Sequence, residues 1–146
     1  MTDEISLAKA CSEAMHANDD AAHFVGIEII ESKPGYARLT MPVRKEFANG
    51  HDTCHGGFIF TLADAAFGHA CNNRNRVTVA AGASIEFIAP GKTGDLLTAV
   101  AHERTRGGKT GVYDVEVSNQ EGVLLALFRG NSYQIRGQVI PTGESE

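Results

Sequence analysis

The chain has 146 residues, the size of one ordinary domain. Hydrophobic residues make up 42% and charged residues 21%, a globular balance that excludes disorder for the body of the chain. The formal net charge is -5 and no basic run exceeds Arg44-Lys45, which argues against nucleic acid as the main partner because phosphate binding needs clustered positive charge.

Met1-Thr2-Asp3-Glu4 lacks the basic and apolar regions of a secretory signal. Cys11, Cys54 and Cys71 are odd in number and show no paired spacing. The expectation is a reducing, cytoplasmic setting with the cysteines as apolar fillers. From about Asp3 to Asn18, Ile5, Ala8, Cys11 or Ser12, and Met15 recur at helical spacing and predict a short N-terminal helix, closed by Asn18-Asp19-Asp20. A mixed stretch from Ala21 leads to a first strand over Gly26–Glu31. Ser32-Lys33-Pro34-Gly35 is turn chemistry, and Arg38–Met41 alternates as a half-buried strand does. Arg44 to Cys54 is polar and irregular, a loop.

Gly56 to Cys71 is the longest apolar stretch. Asp64 and His69 interrupt it and it is too short to span a membrane, so it reads as a helix apolar on nearly all sides. Four strands follow, over Thr78–Ile88, Asp95–Thr105, Thr110–Ser118 and Val123–Arg136. Tyr113, Val115 and Val117 alternate with polar residues, a one-face-buried pattern. Val123 to Phe128 is apolar throughout, which predicts cover on both faces. Arg106–Lys109 and Asn119–Gly122 supply hairpin turns, so the sheet is antiparallel. Residues 137–146 read as a flexible tail. One domain over 1–146 is expected, with the sheet as the only element available to wrap the apolar helix.

That helix carries the chemistry. Gly57, Thr61, Asp64 and Gly68 follow i, i+4, i+7, i+11 spacing and share one small, polar stripe. A lone carboxylate among apolar residues is costly to bury unpaired. Either Asp64 faces water or caps a neighbouring loop, or it stands in a low-dielectric cleft that tunes its basicity for catalysis. His55-Gly56-Gly57 at the helix start leaves unpaired N–H groups pointing outward at the positive end of the helix dipole, suited to a developing oxyanion; the plainer alternative is a flexible turn with solvated histidines. Asp64 lies more than two turns further on, so one electrophile reaches both groups only along the helix or between two subunits. His51, Asp52, Cys54 and His55 are metal-capable, but no second ligand pair closes a site, and no metal is expected. Adjacent Cys54 and His55 make a poor nucleophile pair.

The run Asn49-Gly50-His51-x-x-Cys54-His55-Gly56-Gly57-x-x-Phe60-x-Leu62-Ala63-Asp64 resembles the hotdog-fold acyl-CoA thioesterases, most closely their phenylacetate-degradation (PaaI-type) members. The likeness resumes at Phe87-x-x-Pro90-Gly91, Gly94-Asp95, Thr110–Asp114 and Leu127–Gly130. It implies an α+β hotdog fold, a sheet of about five to six antiparallel strands wrapped around one long helix. It also implies homodimers or tetramers with active sites at the subunit interface. By the same resemblance Asp64 is the catalytic carboxylate, from the subunit opposite the one supplying the oxyanion hole; Gly56 or Gly57 gives the oxyanion N–H, and His55 and Asn49 orient the thioester and water. Gly57, Thr61 and Gly68 would line the substrate, and Lys109, Thr110 and Arg129 would contact coenzyme A. The implied substrate is an aryl-acetyl-CoA, hydrolysed with no cofactor and with neither nucleic acid nor membrane as partner. Hydrolysis of other short- or medium-chain acyl-CoA esters is one alternative, and a non-catalytic acyl-CoA-binding subunit is the alternative from another class. A hydratase is disfavoured because His69, at i+5, lies on a different face from Asp64.

Overall fold

The computed structural model describes residues 3–142. Helix α1 spans Glu4–Ala17, capped by Asp3, whose carboxylate accepts from the Ser6 N–H at 2.9 Å. Helix α2 spans Asp20–Val25; Asp19 caps its start and Gly26, in the left-handed region at φ 81°, ends it. Strands β1 (Glu28–Lys33) and β2 (Tyr36–Pro42) follow, then a single 3₁₀ turn over Lys45–Phe47 and helix α3 over Gly56–Asn72. Strands β3 (Thr78–Phe87), β4 (Leu96–Gly107), β5 (Thr110–Ser118) and β6 (Leu124–Gln134) complete one sheet in the order β1-β2-β4-β5-β6-β3. Every neighbouring pair is antiparallel.

The sheet curls around α3. Leu62, Ala63, Ala66, Phe67 and Ala70 are buried against Leu39 and Met41 of β2, Ala99 of β4, Val115 of β5 and Phe128 of β6. Phe67 anchors this core, edge-on to Tyr113 with ring centroids 5.6 Å apart. A Cβ on Gly130 would stand 2.8 Å from the Phe67 ring, so the strand passes this close only as glycine.

Three asparagines fix the far end of α3. Asn73 is fully buried; its amide donates to the carbonyls of Lys33 and Tyr36, and its oxygen accepts from the Gly35 N–H. Asn72 accepts from the Thr78 N–H at 2.8 Å and donates to the Thr78 carbonyl at 2.9 Å. Asn75 exchanges both backbone bonds with Ile140. Each of these replaces water on a backbone group that would cost about 1–3 kcal/mol if buried unpaired.

Several expectations change. Asp20–Val25 is a helix, where a mixed stretch is expected from sequence; at six residues it offers no periodicity, only its caps. The expected loop over residues 44–54 holds the 3₁₀ turn, which buries Phe47. The sheet is not alone in covering α3: α1 also lies on it, with Ser12 Oγ 3.1 Å from His69 Nδ1. Val123–Phe128 is not covered on both faces within one chain, since Val123 and Leu127 are exposed and only the inward side chains meet α3. The expected tail is held through Ile140 by Asn75, and by Val77 bonded to Gly137; residues 143–146 lie outside the described residues. Strand β3 forms a sheet edge, and most of Val79–Phe87 is exposed.

Candidate active site

The loop before α3 is held by its own side chain. Asn49 Oδ1 accepts from the His51 N–H at 2.8 Å and the Thr53 N–H at 3.2 Å, an Asx turn. Cys54 donates its N–H to the Gly91 carbonyl and His55 donates its own to that of Phe47, each at 2.8 Å. These bonds tie the loop to β2's exit on one side and to the segment after β3 on the other. They aim His55 as the residue that caps α3. Phe58 stacks on Phe47 at 4.2 Å and pins the first turn.

An open cleft of about 400 Å³ results, lined by Asn49, His55, Gly56, Ile59, Phe87 and Pro90 among others. Gly56 makes it possible: a Cβ there would lie 2.6 Å from Phe87 Cζ. Gly57 differs, because its Cβ would meet nothing within 4 Å in this chain. The first-turn N–H groups have no acceptor four residues back within the helix. That of Phe58 turns back to the His55 carbonyl at 3.1 Å, and of the two glycines before it Gly56 lines the cleft.

Asp64 is not in this cleft. It lies eight residues beyond Gly56 on α3, about 12 Å along the axis, on the outward stripe with Gly57, Thr61 and Gly68. The residue is exposed in one chain, and among the described residues its carboxylate neither accepts a hydrogen bond nor joins an ion pair, so it caps no loop. Partial desolvation, and then the negative charge of Asp19, hold its pKa above the usual carboxylate value. Thr61 spends its hydroxyl proton on the Gly57 carbonyl at 2.9 Å. The structure therefore brings Asn49, His55 and Gly56 together and sets Asp64 with Gly57, Thr61 and Gly68 on a separate face.

Other expected positions scatter. Lys109 and Thr110 sit at the β4–β5 turn, whereas Arg129 is locked in a two-pronged pair with Asp114 at 2.6 and 2.9 Å on the sheet. Among the described residues no three His, Cys, Asp or Glu side chains are placed to share a metal ion. His69 is buried and bonded to Ser12, off the Asp64 stripe. Reading residues in sequence misses the cleft wall formed by Phe87, Ile88 and Pro90, although Phe87 and Pro90 stand in the family-like run. It also misses Asp19, for which an isolated N-cap residue gives no functional signal.

Comparison with known proteins decides the family. Residues 51–126 match the Thioesterase superfamily. The chain is 47% identical over 134 residues to the acyl-coenzyme A thioesterase PaaI of Escherichia coli K12, covering 92% of this chain and 94% of the relative. The chain belongs to the thioesterase superfamily. The solved E. coli PaaI protein, from the phenylacetic acid degradation operon, superposes on this thioesterase with a TM-score of 0.92 at 45% identity, covering 93% of this chain and 99% of that one. A Streptococcus mutans protein solved with acetyl CoA bound is 28% identical with a TM-score of 0.73, covering 77% of this chain and 90% of its own. The expected hotdog fold and the thioester-hydrolase class both stand on these matches.

Proposed function

We propose that this thioesterase hydrolyses aryl-acetyl-CoA esters to the free acid and coenzyme A, serving the breakdown of aromatic acids. The likeness to E. coli PaaI supports acyl-CoA as the substrate class. The observation that carries the mechanism is the division of α3. Backbone N–H groups without an acceptor within the helix lie at its start beside the cleft, and a carboxylate with a raised pKa lies about 12 Å along it, outside the cleft lining. Within one chain the two halves do not meet. The reading is a homodimer, or a pair of dimers, in which Asp64 of one subunit faces the Gly56 end of the other.

The substrate carbonyl then lies against the Gly56 and Gly57 N–H groups, which stabilise the oxyanion as it develops. His55 and Asn49 position the thioester and the attacking water. Asp64 either takes a proton from that water or attacks the carbonyl to form an anhydride that water opens. In both routes the C–S bond breaks and the thiolate of coenzyme A leaves, taking up a proton. The reaction needs no metal or cofactor, and the setting is cytoplasmic; no helix among the described residues is long and apolar enough to cross a membrane.

The test is a hydrolysis series across phenylacetyl-CoA, hydroxyphenylacetyl-CoA, acetyl-CoA and palmitoyl-CoA, read as kcat/KM. The aryl-acetyl esters should lead the series by tenfold or more, about 1.4 kcal/mol. A flat series, or a long-chain preference, overturns the aryl assignment; no turnover of any ester overturns catalysis itself. Single turnover in oxygen-18 water distinguishes the two routes, because label appears in the Asp64 carboxylate only if it attacks.

A further inference from the structure

A cation outside the cleft ties helix α2 to the start of α3. Arg44 stands between β2 and the 3₁₀ turn. Its Nη2 donates to the carbonyl of Phe24 in the last turn of α2. The Gly26 and Ile27 N–H groups close the His23 and Ala22 carbonyls at 3.2 and 2.9 Å, so Arg44 answers a carbonyl that the left-handed cap leaves over. Gly26 keeps the passage open, since a Cβ there would lie 3.2 Å from Arg44 Nη2. Among the described residues Arg44 joins no ion pair. Its charge is used on a helix end and an aromatic ring.

That ring is Phe47. The Arg44 Cζ lies 5.1 Å from its centroid, a cation–π contact. Phe47 is 2% exposed and is stacked on Phe58 with the two rings 12° from parallel. The backbone repeats the link: the Phe47 carbonyl accepts from the His55 N–H, and the His55 carbonyl accepts from that of Phe58. Two chains of contact, one through rings and one through backbone bonds, therefore run from the Arg44 turn to the residues that flank Gly56 and Gly57. Donors aimed at a developing charge are effective when they are fixed before it forms, and misplacing a positioned group by about 1 Å costs about a hundredfold in rate.

We infer that Arg44 is a positioning residue for the hydrolysis, clamping Phe47 against Phe58 so that the first-turn N–H groups of α3 are set in place before substrate arrives. The inference rests on the thioesterase mechanism proposed above, and it assigns to that mechanism a residue absent from the cleft lining. Arg44 acts on the chemistry only through Phe47. That dependence separates it from a substrate contact and from a staple that serves stability alone.

Two measurements on the full chain test it. The first reads kcat and KM, with the ester turned over best in the series above, for Arg44→Met, Arg44→Lys, Phe47→Leu and the Arg44→Met/Phe47→Leu pair. Methionine keeps much of the length and packing but loses the charge and the donor. Arg44→Met should lower kcat about tenfold with KM within about twofold of wild type, the split left when only transition-state stabilisation is lost. Arg44→Lys, which keeps a cation beside the ring, should lie between the two. The double variant should be no slower than Phe47→Leu alone, because a residue that acts through a ring has no effect once the ring is gone. Wild-type kcat in Arg44→Met, a loss carried by KM, or losses that multiply in the double variant each overturn the inference. The second measurement is amide hydrogen exchange by NMR in wild type, Arg44→Met and Arg44→Lys. The His55 and Phe58 amides should exchange about tenfold faster in Arg44→Met, with those of Val115 and Val117 on β5 unchanged. Faster exchange at all four, or at none, overturns the clamp. This arm needs no turnover, so a protein that hydrolyses none of the esters yet shows the local pattern refutes the thioesterase mechanism and leaves the clamp standing.

Discussion

In the proposed mechanism Asp64 is the residue on which the chemistry turns. An amide at that position keeps the shape but neither accepts a proton nor attacks a carbonyl. Asp64→Asn should therefore lower kcat by at least about 10²–10⁴-fold, the range of general-base steps, with the melting temperature unchanged. More than a tenth of wild-type turnover would remove it from catalysis. Because its pKa is raised and the proposed mechanism uses the ionised form, the acid limb of the kcat/KM profile should lie above that of an ordinary aspartate. A limb at the ordinary position would mean that another group controls it. The two glycines at the helix start separate by geometry. Gly56→Ala pushes a methyl into the Phe87 ring and should cost about tenfold in kcat/KM, about 1.4 kcal/mol, by moving the cleft wall. Gly57→Ala meets nothing in its own chain, so it should fold normally, and any lost activity reports on substrate or partner. Wild-type activity in Gly56→Ala would show that Phe87 moves aside without consequence.

At the scale of elements, α1 and α3 are joined through a buried polar chain: His69 Nδ1 to Ser12 Oγ at 3.1 Å, Ser12 Oγ to Ser32 Oγ at 2.6 Å, and Asn73 Nδ2 to Ser32 Oγ at 3.0 Å. Burial, aided by nearby His16 and opposed by Asp19, pushes the His69 pKa down to about 4 from 6.5. Above pH 6.5 folded and unfolded chains both hold it neutral and it has no effect. Between 6.5 and 4 the unfolded chain binds a proton that the folded chain refuses, so stability falls with pH, by about 2 kcal/mol at pH 5. Below 4 the loss levels off. Thermal melts at pH 7 and pH 5 should show a steeper loss for the wild type than for His69→Gln. Parallel losses would mean that His69 is not held neutral. Much of this architecture was legible. Helix α3 and strand β5 lie where apolar periodicity and alternation put them, because both patterns follow from facing one core. What sequence hid was short or non-local. Helix α2 has only its caps to announce it, and the Asn72, Asn73 and Asn75 bonds reach segments up to 65 residues away.

At the scale of the whole molecule, helical spacing already set Asp64 more than two turns from His55 and Gly56, and the structure adds that Asp64 lies outside the cleft that Asn49, His55 and Gly56 line. In the proposed homodimer the second copy would meet the outward Asp64 stripe, and the exposed β3 edge is open to pairing. Mixing Asp64→Asn subunits with Gly56→Val subunits, each inactive alone, tests whether sites are shared. Random pairing should restore about a quarter of wild-type activity, because half the dimers are mixed and each mixed dimer has one intact site of two. No recovery, with mixed oligomers verified by native mass spectrometry, would place a complete site in each chain.

Cys11, Cys54 and Cys71 are free and buried. Desolvation pushes the Cys54 thiol up to about 11 and that of Cys71 to about 12, so at neutral pH almost none of either is thiolate, the form that reacts. A disulfide reagent added to the native enzyme should therefore register only the coenzyme A released by turnover, against a silent protein background. The same three sulfurs become a clock once substrate is withheld. Their slow labelling would time the openings of the core, with Cys71 on α3 and Cys11 on α1 reporting whether the two helices part together.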